Sequence, residues 1–379
     1  MLQVASWTGN IGDSANHAGA SAMLEANTQY QFDITRFEIR EVYWGVRRFD
    51  SEFVSLCNAH DLVVFGGGNY FELWVEKSST GCSIDLSKAQ LDDIRPPILF
   101  YSLGCDRFQG VPDICRDRFG SFLQNLLARE NCFVSVRNDG SYGTIEKLYG
   151  TETALKLTVV PDGGFFFRPA AQKHAEIEDC TTSIAVNLAG DMLSARFPGG
   201  DLHDPNGFLA EFSSALADAT SSLPGSCIVL VPHIASDIEV IARFLGALPD
   251  KVIRKSVRVA PLLLGLAGAT KIFDLYRQSD IVLGMRFHAN VCPIGMGQHT
   301  IGLGCYGQVF ELYAELGLKE KCHDVRTPGF GKALTRRIVE STTASAVALT
   351  PPTNVVDELE SSIKTAHRHI ARWFQRTKL

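Results

Sequence analysis

The hydrophobic and polar positions in the first half of the chain alternate between two patterns. Short apolar runs with the length of a buried strand are followed by longer stretches with the spacing of an amphipathic helix. The predicted strands are Gln3–Trp7, Asp33–Glu38, Asp61–Phe65, Pro97–Leu103, Cys132–Val136 and Leu157–Val160. The predicted helices include Ser14–Asn27, Ser51–Ala59, Asp117–Arg129 and Ser141–Leu148. Strands that alternate with crossover helices are typical of a parallel sheet.

A polar stretch without periodicity separates this half from a second one. It follows Arg168-Pro169, and we interpret it as a linker. The strands predicted after it are Ser183–Leu188, Cys227–Val231, Asp280–Leu283 and His299–Leu303. The helices predicted after it are Gly207–Ser222, Asp237–Leu245, Ile272–Gln278, His288–Met296, Val309–Leu316 and Val355–Thr377. We therefore expect an N-terminal domain at residues 1–168, a linker at 169–180, a C-terminal domain at 181–350 and a final helix at 351–379.

Composition narrows the class of protein. A net charge of −6 disfavours broad nucleic-acid binding, which needs a basic face. Ten cysteines form no C-x-x-C pair and several lie in apolar runs, which favours reduced, buried thiols over a disulfide framework or a zinc site. Because neither a targeting segment nor a bilayer-spanning run is visible, we expect a cytoplasmic protein.

The final predicted helix allows two interpretations. Its basic residues Lys364, Arg368, Arg372, Arg376 and Lys378 lie beside the apolar residues Ile370, Trp373 and Phe374. This composition is compatible with contact to the inner face of a membrane that carries lipid-linked substrates. The better interpretation is that the apolar side packs on a domain.

A loop with two glycines joins the first predicted strand to the first predicted helix. It contains Gly9, Asn10, Gly12 and Asp13. Glycine permits close approach of the backbone to a ligand, and the first N–H groups of a helix bind anions. The loop has neither the Gly-Lys-Ser of a Walker loop nor the G-x-G-x-x-G spacing. Two interpretations stay open: these residues contact a substrate, or Asp13 or Ser14 simply caps the helix.

A second glycine loop and an arginine follow other strands of the first half. Gly67, Gly68 and Asn69 come after a buried strand, and consecutive glycines are costly unless the backbone passes close to a ligand or another segment. Arg137 directly follows Cys132–Val136. A cation at the carboxyl edge of a sheet can hold an anionic substrate, and the alternative for Arg137 is a salt bridge to Asp139 or Asp162.

The strongest local signal follows the strand at Asp280–Leu283. Arg286 offers a planar fork for a carboxylate or phosphate, and His288 can exchange protons near neutral pH. We expect both to be functional, with Phe287 between them in contact with substrate. His233 follows another strand and is a further candidate for substrate binding, although a histidine packed in a loop is the better interpretation.

Taken in order, these motifs resemble those of the polysaccharide pyruvyl transferase family. The resemblance extends from residue 3 to about residue 320, and the shared order of short motifs makes it specific. The motifs are Gly9–Asp13, Gly66–Gly68, Val134–Arg137 with Ser141, Val160–Asp162, Val231–His233 with Asp237, and Gly284–His288.

The resemblance implies an α/β fold of two Rossmann-like domains facing across a cleft, similar to the twin-domain (GT-B-like) glycosyltransferases. It also implies that phosphoenolpyruvate is the donor and that a pyruvyl ketal forms on two hydroxyls of a sugar, free or lipid-linked. By the match, Arg137 and Arg286 hold the anionic groups of the donor and His288 is the acid/base. The reaction needs no redox cofactor, and no metal-ligand cluster is evident, so we expect neither a cofactor nor a metal.

One segment departs from the family pattern. Members often carry an aspartate and a lysine where this chain reads Cys305-Tyr306-Gly307-Gln308-Val309, and the lost cation leaves the acceptor and the exact donor open. A glycosyltransferase with a nucleotide-sugar donor and a non-catalytic carbohydrate-binding relative are the alternative functions. Retention of Arg137, Arg286 and His288 favours an enzyme over the non-catalytic relative.

Overall fold

The structure is a computed structural model that describes residues 1–342 and 353–377. The chain forms two compact units. The first contains Met1–Thr8, His17–Gly163 and the chain from Leu359 onward, and the second contains Gly9–Asn16 and Gly164–Glu358. The main division therefore falls between Gly163 and Gly164, ahead of the segment 169–180.

The first unit is built on a parallel sheet with the strand order β2-β1-β3-β5-β7-β8. Its strands are β1 (Leu2–Ala5), β2 (Thr35–Glu38), β3 (Val63–Gly66), β5 (Ile98–Leu103), β7 (Cys132–Val136) and β8 (Thr158–Val159), with β4 (Phe71–Glu72) and β6 (Cys105–Asp106) forming a separate pair. The helices that begin in this part of the chain are α1 (Ile11–Thr28), α2 (Arg40–Tyr43), α3 (Ser51–Cys57), α4 (Lys88–Asp93), α5 (Asp113–Leu127), α6 (Ser141–Tyr149) and α7 (Thr151–Ala154). All residues of β1, β3 and β5 are buried, which explains why these strands are mostly apolar on both faces.

The second unit has a parallel sheet with the order β11-β10-β9-β12-β13-β14. Its strands are β9 (Thr182–Asn187), β10 (Ser226–Leu230), β11 (Val257–Val259), β12 (Ile281–Gly284), β13 (Thr300–Gly304) and β14 (Cys322–Asp324). Its helices are α8 (Leu193–Arg196), α9 (Pro205–Ser222), α10 (Ser236–Ala247), α11 (Asp250–Ser256), α12 (Gly265–Gln278), α13 (His288–Gly295), α14 (Gly307–Glu315) and α15 (Phe330–Glu340). In order of occurrence its strands follow the 3-2-1-4-5-6 arrangement of a Rossmann fold.

Each sheet has a point at which the strand order reverses direction. In the first unit it lies between β1 and β3, and in the second between β9 and β12. Ligands of open α/β sheets bind outside the carboxyl ends of the strands at this point. The reversal in the second unit places the loops after Asn187 and Gly284 side by side, because β9 and β12 are hydrogen-bonded neighbours. The predicted α/β fold of two Rossmann-like domains is confirmed.

Every predicted strand overlaps an observed one, but the prediction missed four short strands. Two of them, β11 and β14, lie at the edges of the second sheet. They read Val-Arg-Val and Cys-His-Asp and are only partly covered or exposed. An edge strand needs no continuous apolar run, so hydrophobic patterning gives little signal for it.

The last helix, α16 (Thr353–Thr377), returns to the first unit from Leu359 onward. Ile370, Trp373 and Phe374 are buried there. The indole Nε1 of Trp373 donates to the carbonyl of Glu130 at 2.9 Å, and the ring of Phe374 meets that of Tyr30 edge-on at 5.2 Å. These apolar side chains are therefore not available to enter a membrane, and the helix packs on a domain. Lys378 lies outside the described residues.

The expectation that the cysteines are reduced is wrong for two of them. Cys180 and Cys227 form a disulfide with a Cα–Cα distance of 5.7 Å. In the same segment, His174 Nε2 lies 2.8 Å from Asp274 Oδ2, so residues 169–180 are fastened to the second unit. Cys227 lies in the buried strand β10, and sequence spacing alone could not show that Cys180 lies beside it. Among residues 1–342 and 353–377, no helix is both long and apolar enough to span a bilayer.

Candidate functional site

The loop after β12 is held against the neighbouring strand β9. The backbone N–H of Arg286 donates to Oδ1 of Asn187 at 2.9 Å, and that of Met285 donates to the Asn187 carbonyl at 3.3 Å. Asn187 is the last residue of β9 and is fully buried. The loop that sequence analysis singled out therefore lies at the reversal point of the second sheet.

The Arg286 guanidinium is fixed by two carboxylates. Its Nε donates to Asp237 Oδ2 at 2.8 Å, and its Nη2 donates to Oδ1 of Asp237 and, at 2.6 Å, to Oδ1 of Asp191. Burial alone would lower the pKa of Arg286, but the hydrogen bonds and charges of both aspartates outweigh it and raise that pKa. Within the described residues Nη1 makes no hydrogen bond, so one edge of the fork can still donate to a ligand.

Asp237 is positioned by backbone donors from two loops. The N–H of Gly190 donates to its Oδ1 at 2.9 Å, and the N–H of His233 donates to its Oδ2 at 2.9 Å. Burial would raise the pKa of Asp237, but the hydrogen bond and charge of Arg286 lower it. This carboxylate therefore stays ionised and orients Arg286.

A second arginine, which sequence analysis missed, shares the other carboxylate. Nη2 of Arg196 donates to Asp191 Oδ2 at 3.2 Å, while Nη1 contacts Sγ of Cys305 at 3.8 Å. The guanidinium carbon of Arg196 lies 5.0 Å from the ring centre of Tyr306. Arg196 lies in a short helix with no motif around it, so its place beside Arg286 comes only from folding.

His288 meets the N-terminal glycine loop. It is the first residue of α13 and is 7% exposed. A Cβ at Gly12 would lie 2.6 Å from its Nδ1, which real side chains do not tolerate. Gly12 is therefore required for this approach. The ring of Phe287 stands edge-on to that of His288 at 5.5 Å.

The rest of the N-terminal loop has a local structural role. Gly9 adopts a φ of +83°, and Oδ1 of Asn10 accepts a hydrogen bond from the N–H of Gly12 at 2.9 Å. Asn10 thus caps helix α1 and Asp13 lies in its first turn, so the cap is neither Asp13 nor Ser14, the two residues that the capping interpretation named.

His233 is a packed loop histidine. It is completely buried, and its Nε2 lies 2.8 Å from the hydroxyl of Tyr276. Burial, followed by the charges of Arg286 and His288, lowers the pKa of His233 to about 3 against the opposing charge of Asp237. The ring is therefore neutral near pH 7.

Arg137 is enclosed in the first unit. Its Nη2 lies 2.7 Å from Asp139 and donates to Oδ1 of Asn69 at 3.0 Å, and its Nη1 lies 3.2 Å from Asp162. Arg137 is 3% exposed and both carboxylates are fully buried. These are the salt bridges that sequence analysis gave as the alternative to substrate binding.

Backbone conformation and packing explain the glycines of the second glycine loop. Gly67 has a φ of +74°, which favours glycine. A Cβ at Gly68 would collide with the ring of Tyr70, whose hydroxyl accepts a hydrogen bond from the N–H of Ser6 at 2.7 Å. No group of histidine, cysteine, aspartate or glutamate side chains in residues 1–342 and 353–377 is arranged to hold a metal ion.

The fold is shared with several solved sugar-processing proteins. The chain is similar to the UDP-GlcNAc 2-epimerase from Methanocaldococcus jannaschii, with 12% identity, a TM-score of 0.56 and coverage of 97% of this chain and 99% of that one. It is also similar to the MnaA–UDP co-structure from S. aureus (9%, 0.54, 97% and 94%) and to a glycosyltransferase from Rickettsia africae (12%, 0.53, 98% and 92%). At these identities the likeness shows the fold alone.

The sequence carries the more specific relationship. No curated protein sequence matches the chain significantly. A family model described as polysaccharide pyruvyl transferase, however, matches residues 10–305. This span contains the first glycine loop from Asn10 onward, the second glycine loop, Arg137, the Asp191–Asp237 pair and the Arg286–His288 loop. The chain therefore belongs to the polysaccharide pyruvyl transferase family.

Proposed function

We propose that this protein transfers a pyruvyl group from phosphoenolpyruvate to two hydroxyls of a sugar in a polysaccharide or glycoconjugate, forming a ketal. The observation that carries the proposal is the convergence of Arg286, His288 and Gly12 at the reversal point of the second sheet. Family membership supplies the reaction class, and the loop supplies a cation that can bind an anion and a proton carrier within three residues of each other.

The proposed chemistry needs one proton carrier. The methylene carbon of phosphoenolpyruvate gains a proton from His288, and an oxygen of the first sugar hydroxyl bonds to the adjacent carbon. That hydroxyl returns its proton to His288. The bond from the same carbon to the phosphate oxygen then breaks, the second hydroxyl oxygen bonds in its place, and its proton leaves with the phosphate. One phosphate is released for each ketal formed.

Arg286 is proposed to bind an anionic group of the donor through its Nη1 edge. Asp237 holds the fork in place, and Asp191 links it to Arg196. The two aspartates balance the charges of the two arginines, which lowers the cost of burying all four groups. Arg196 is proposed as a positioning residue. It donates to Oδ2 of Asp191, whereas Arg286 donates to Oδ1 of the same carboxylate.

The other site residues predicted from the sequence differ in how strongly their contacts support a role in substrate binding. Phe287 packs on His288 and is proposed to set its orientation, and Gly9, Asn10, Gly12 and Asp13 are proposed to line the same region. The burial of His233 favours a structural role. Arg137, Gly67, Gly68 and Asn69 remain predictions for substrate binding, and their observed contacts favour support of the first unit. We also propose a cytoplasmic location for the enzyme.

The test is phosphate release from phosphoenolpyruvate in the presence of a panel of sugar and lipid-linked acceptors. Acceptor-dependent release, with a product heavier by one pyruvyl ketal in mass spectrometry, supports the proposal. Sugar transfer from a UDP-sugar under the same conditions, with no release from phosphoenolpyruvate, would instead support the glycosyltransferase alternative. Binding of the sugars without turnover of either donor would support the non-catalytic one.

A further inference from the structure

A cavity of about 630 Å³ lies in the first unit at the amino ends of β5 and β7. Its walls include Pro97, which precedes β5, Cys132 and Phe133 at the start of β7, and the last turns of α16. We call it the amino-edge cavity. The amino and carboxyl ends of a parallel sheet lie at opposite edges, so this cavity is separate from Arg137 and the Gly66–Gly68 loop.

Four basic side chains line the amino-edge cavity: Arg95, Arg129, Lys156 and Arg376. They come from four separate segments, namely the loop before β5, the end of α5, the loop before β8 and the last turn of α16. Glu130 is the acidic residue among the described residues of the lining. Because the whole chain has 36 basic and 42 acidic residues, composition does not explain this concentration of positive charge.

The four cations differ in how they are compensated. Arg129 lies 2.5 Å from Asp92 and also donates to the Leu91 carbonyl at 3.2 Å, so it is a fixed part of the wall. In the part of the chain that the structure describes, Arg95, Lys156 and Arg376 form no salt bridge. Like charges around one concave space repel each other, and an anion between them would remove that repulsion.

The floor of the cavity is already formed. Trp373 is 3% exposed, and its Nε1 donates to the Glu130 carbonyl at 2.9 Å. Its ring packs against Phe133 with a centroid distance of 5.6 Å. The cavity therefore combines a fixed aromatic floor with longer basic side chains at its rim, which is the arrangement expected of a preformed small-molecule site.

We propose that the amino-edge cavity binds a ligand that carries phosphate groups, at a site separate from that of pyruvyl transfer. Arginine forks and a lysine ammonium suit phosphate oxygens. The volume falls within the range of about 300–1,000 Å³ typical of small-molecule sites, so the ligand is larger than a single ion. The phosphate belongs either to a soluble compound or to the headgroup of a lipid.

The test is isothermal titration of the full chain with inorganic pyrophosphate. All proteins carry Arg286→Ala, which weakens anion binding at the pyruvyl-transfer loop. Lys156→Glu and Arg376→Glu are compared with Lys255→Glu, which makes the same charge change at an exposed lysine of α11 in the second unit. We expect saturable binding in the background protein and in Lys255→Glu, and binding at least about tenfold weaker in the two cavity variants.

A second arm separates the two sources of phosphate. The same proteins are floated with phosphatidylcholine vesicles with and without phosphatidic acid. Flotation that needs phosphatidic acid and is lost in both Lys156→Glu and Arg376→Glu assigns a lipid headgroup. Pyrophosphate binding that is weakened in both variants, without flotation, assigns a soluble ligand. The proposal is overturned if neither arm shows binding that depends on both Lys156 and Arg376, with folding of each variant checked by circular dichroism.

Discussion

Arg137 and Arg286 are strand-end arginines of the two different sheets, and their surroundings differ. Each follows the carboxyl end of a buried strand and contacts two aspartates. Around Arg137 both carboxylates are fully buried, and the arginine is 3% exposed. Around Arg286 one carboxylate, Asp191, is 32% exposed, and the arginine is 11% exposed. The same sequence feature therefore produces a closed ion cluster in one unit and an accessible one in the other.

Position in the sheet accounts for part of this difference. Arg286 follows β12, which flanks the reversal of strand order, whereas Arg137 follows β7, which does not. At the reversal the loops of neighbouring strands separate and leave space for a ligand. Away from it, Arg137 is covered by neighbouring loops that bring Asn69, Asp139 and Asp162 against it. An arginine at a strand end therefore predicts an anion site only where the topology keeps the space open.

The largest expected effect is on turnover, and it tests whether the second unit contains the chemistry. His288→Gln keeps hydrogen-bonding capacity but cannot carry a proton, so we expect phosphate release at saturating substrates to fall by about 10²–10⁴-fold. Affinity for phosphoenolpyruvate should stay within a few-fold. His233→Ala serves as the comparison. His233 is buried and neutral, so its replacement should reduce turnover less than His288→Gln does. Near-normal turnover of His288→Gln would make His288 a positioning residue.

Replacing Arg137, the cation of the closed ion cluster, should lower the free energy of unfolding. Arg137→Ala leaves Asp139 and Asp162 buried without their partner, and breaking a buried ion pair in this way costs about 3–5 kcal/mol of unfolding free energy. The measurement is urea unfolding, followed by a titration with phosphoenolpyruvate under conditions where the variant is folded. Normal stability together with lost donor affinity would restore Arg137 to the donor site and remove the contrast between the two arginines.

Arg286→Ala should chiefly weaken donor binding. We expect donor affinity to fall by roughly ten- to a hundredfold, since a charge-assisted contact of about 1.5–3 kcal/mol is lost. Arg286→Lys should recover only part of it, because a point charge cannot replace a fork. Calorimetric titration with phosphoenolpyruvate measures both. Unchanged affinity in the alanine variant would exclude Arg286 from donor binding.

Gly12→Ala tests the approach of the N-terminal loop to His288. The added Cβ collides with the histidine ring, so we expect turnover to fall about tenfold or more, as an error of about 1 Å in a catalytic group can cost a hundredfold. Gly246→Ala in helix α10 is the control, because no atom lies within 4 Å of its added Cβ. It should leave turnover unchanged and stabilise the fold by about 0.4–1 kcal/mol. Equal turnover in both variants would mean that Gly12 does not set the position of His288.

The smallest expected effect concerns the acidic surroundings of Arg137. Burial raises the pKa of Glu72 from 4.5 to about 7 against the hydrogen bond from Ser83. The charge of Asp106, which accepts a hydrogen bond from Asn69, adds to the rise. The folded state then holds a proton that the unfolded chain releases, so stability falls as pH rises from 4.5 to about 7. We expect Glu72→Gln to remove about 1–3 kcal/mol of this pH dependence. Parallel pH profiles of thermal unfolding for both proteins would contradict it.

Local patterning determined much of the framework. The apolar run in Asp280–Leu283 predicted the strand that the structure has at Ile281–Gly284, because a strand covered on both faces is apolar along its length. The order of short motifs also indicated the family, which the match over residues 10–305 shows. Edge strands such as Val257–Val259 were missed, since they are not subject to the same constraint.

The sequence by itself determined most of the strands and helices, which family the chain belongs to, and that Arg286 and His288 share one loop. Tertiary structure decided what those residues touch. It brought Gly12 against His288 across more than two hundred and fifty residues of chain, placed Arg196 beside Asp191, joined Cys180 to Cys227 and closed Arg137 between two aspartates. The physical reason is that strand and helix patterns record local burial, whereas a site depends on which strand ends become neighbours, and that depends on the strand order of the whole sheet.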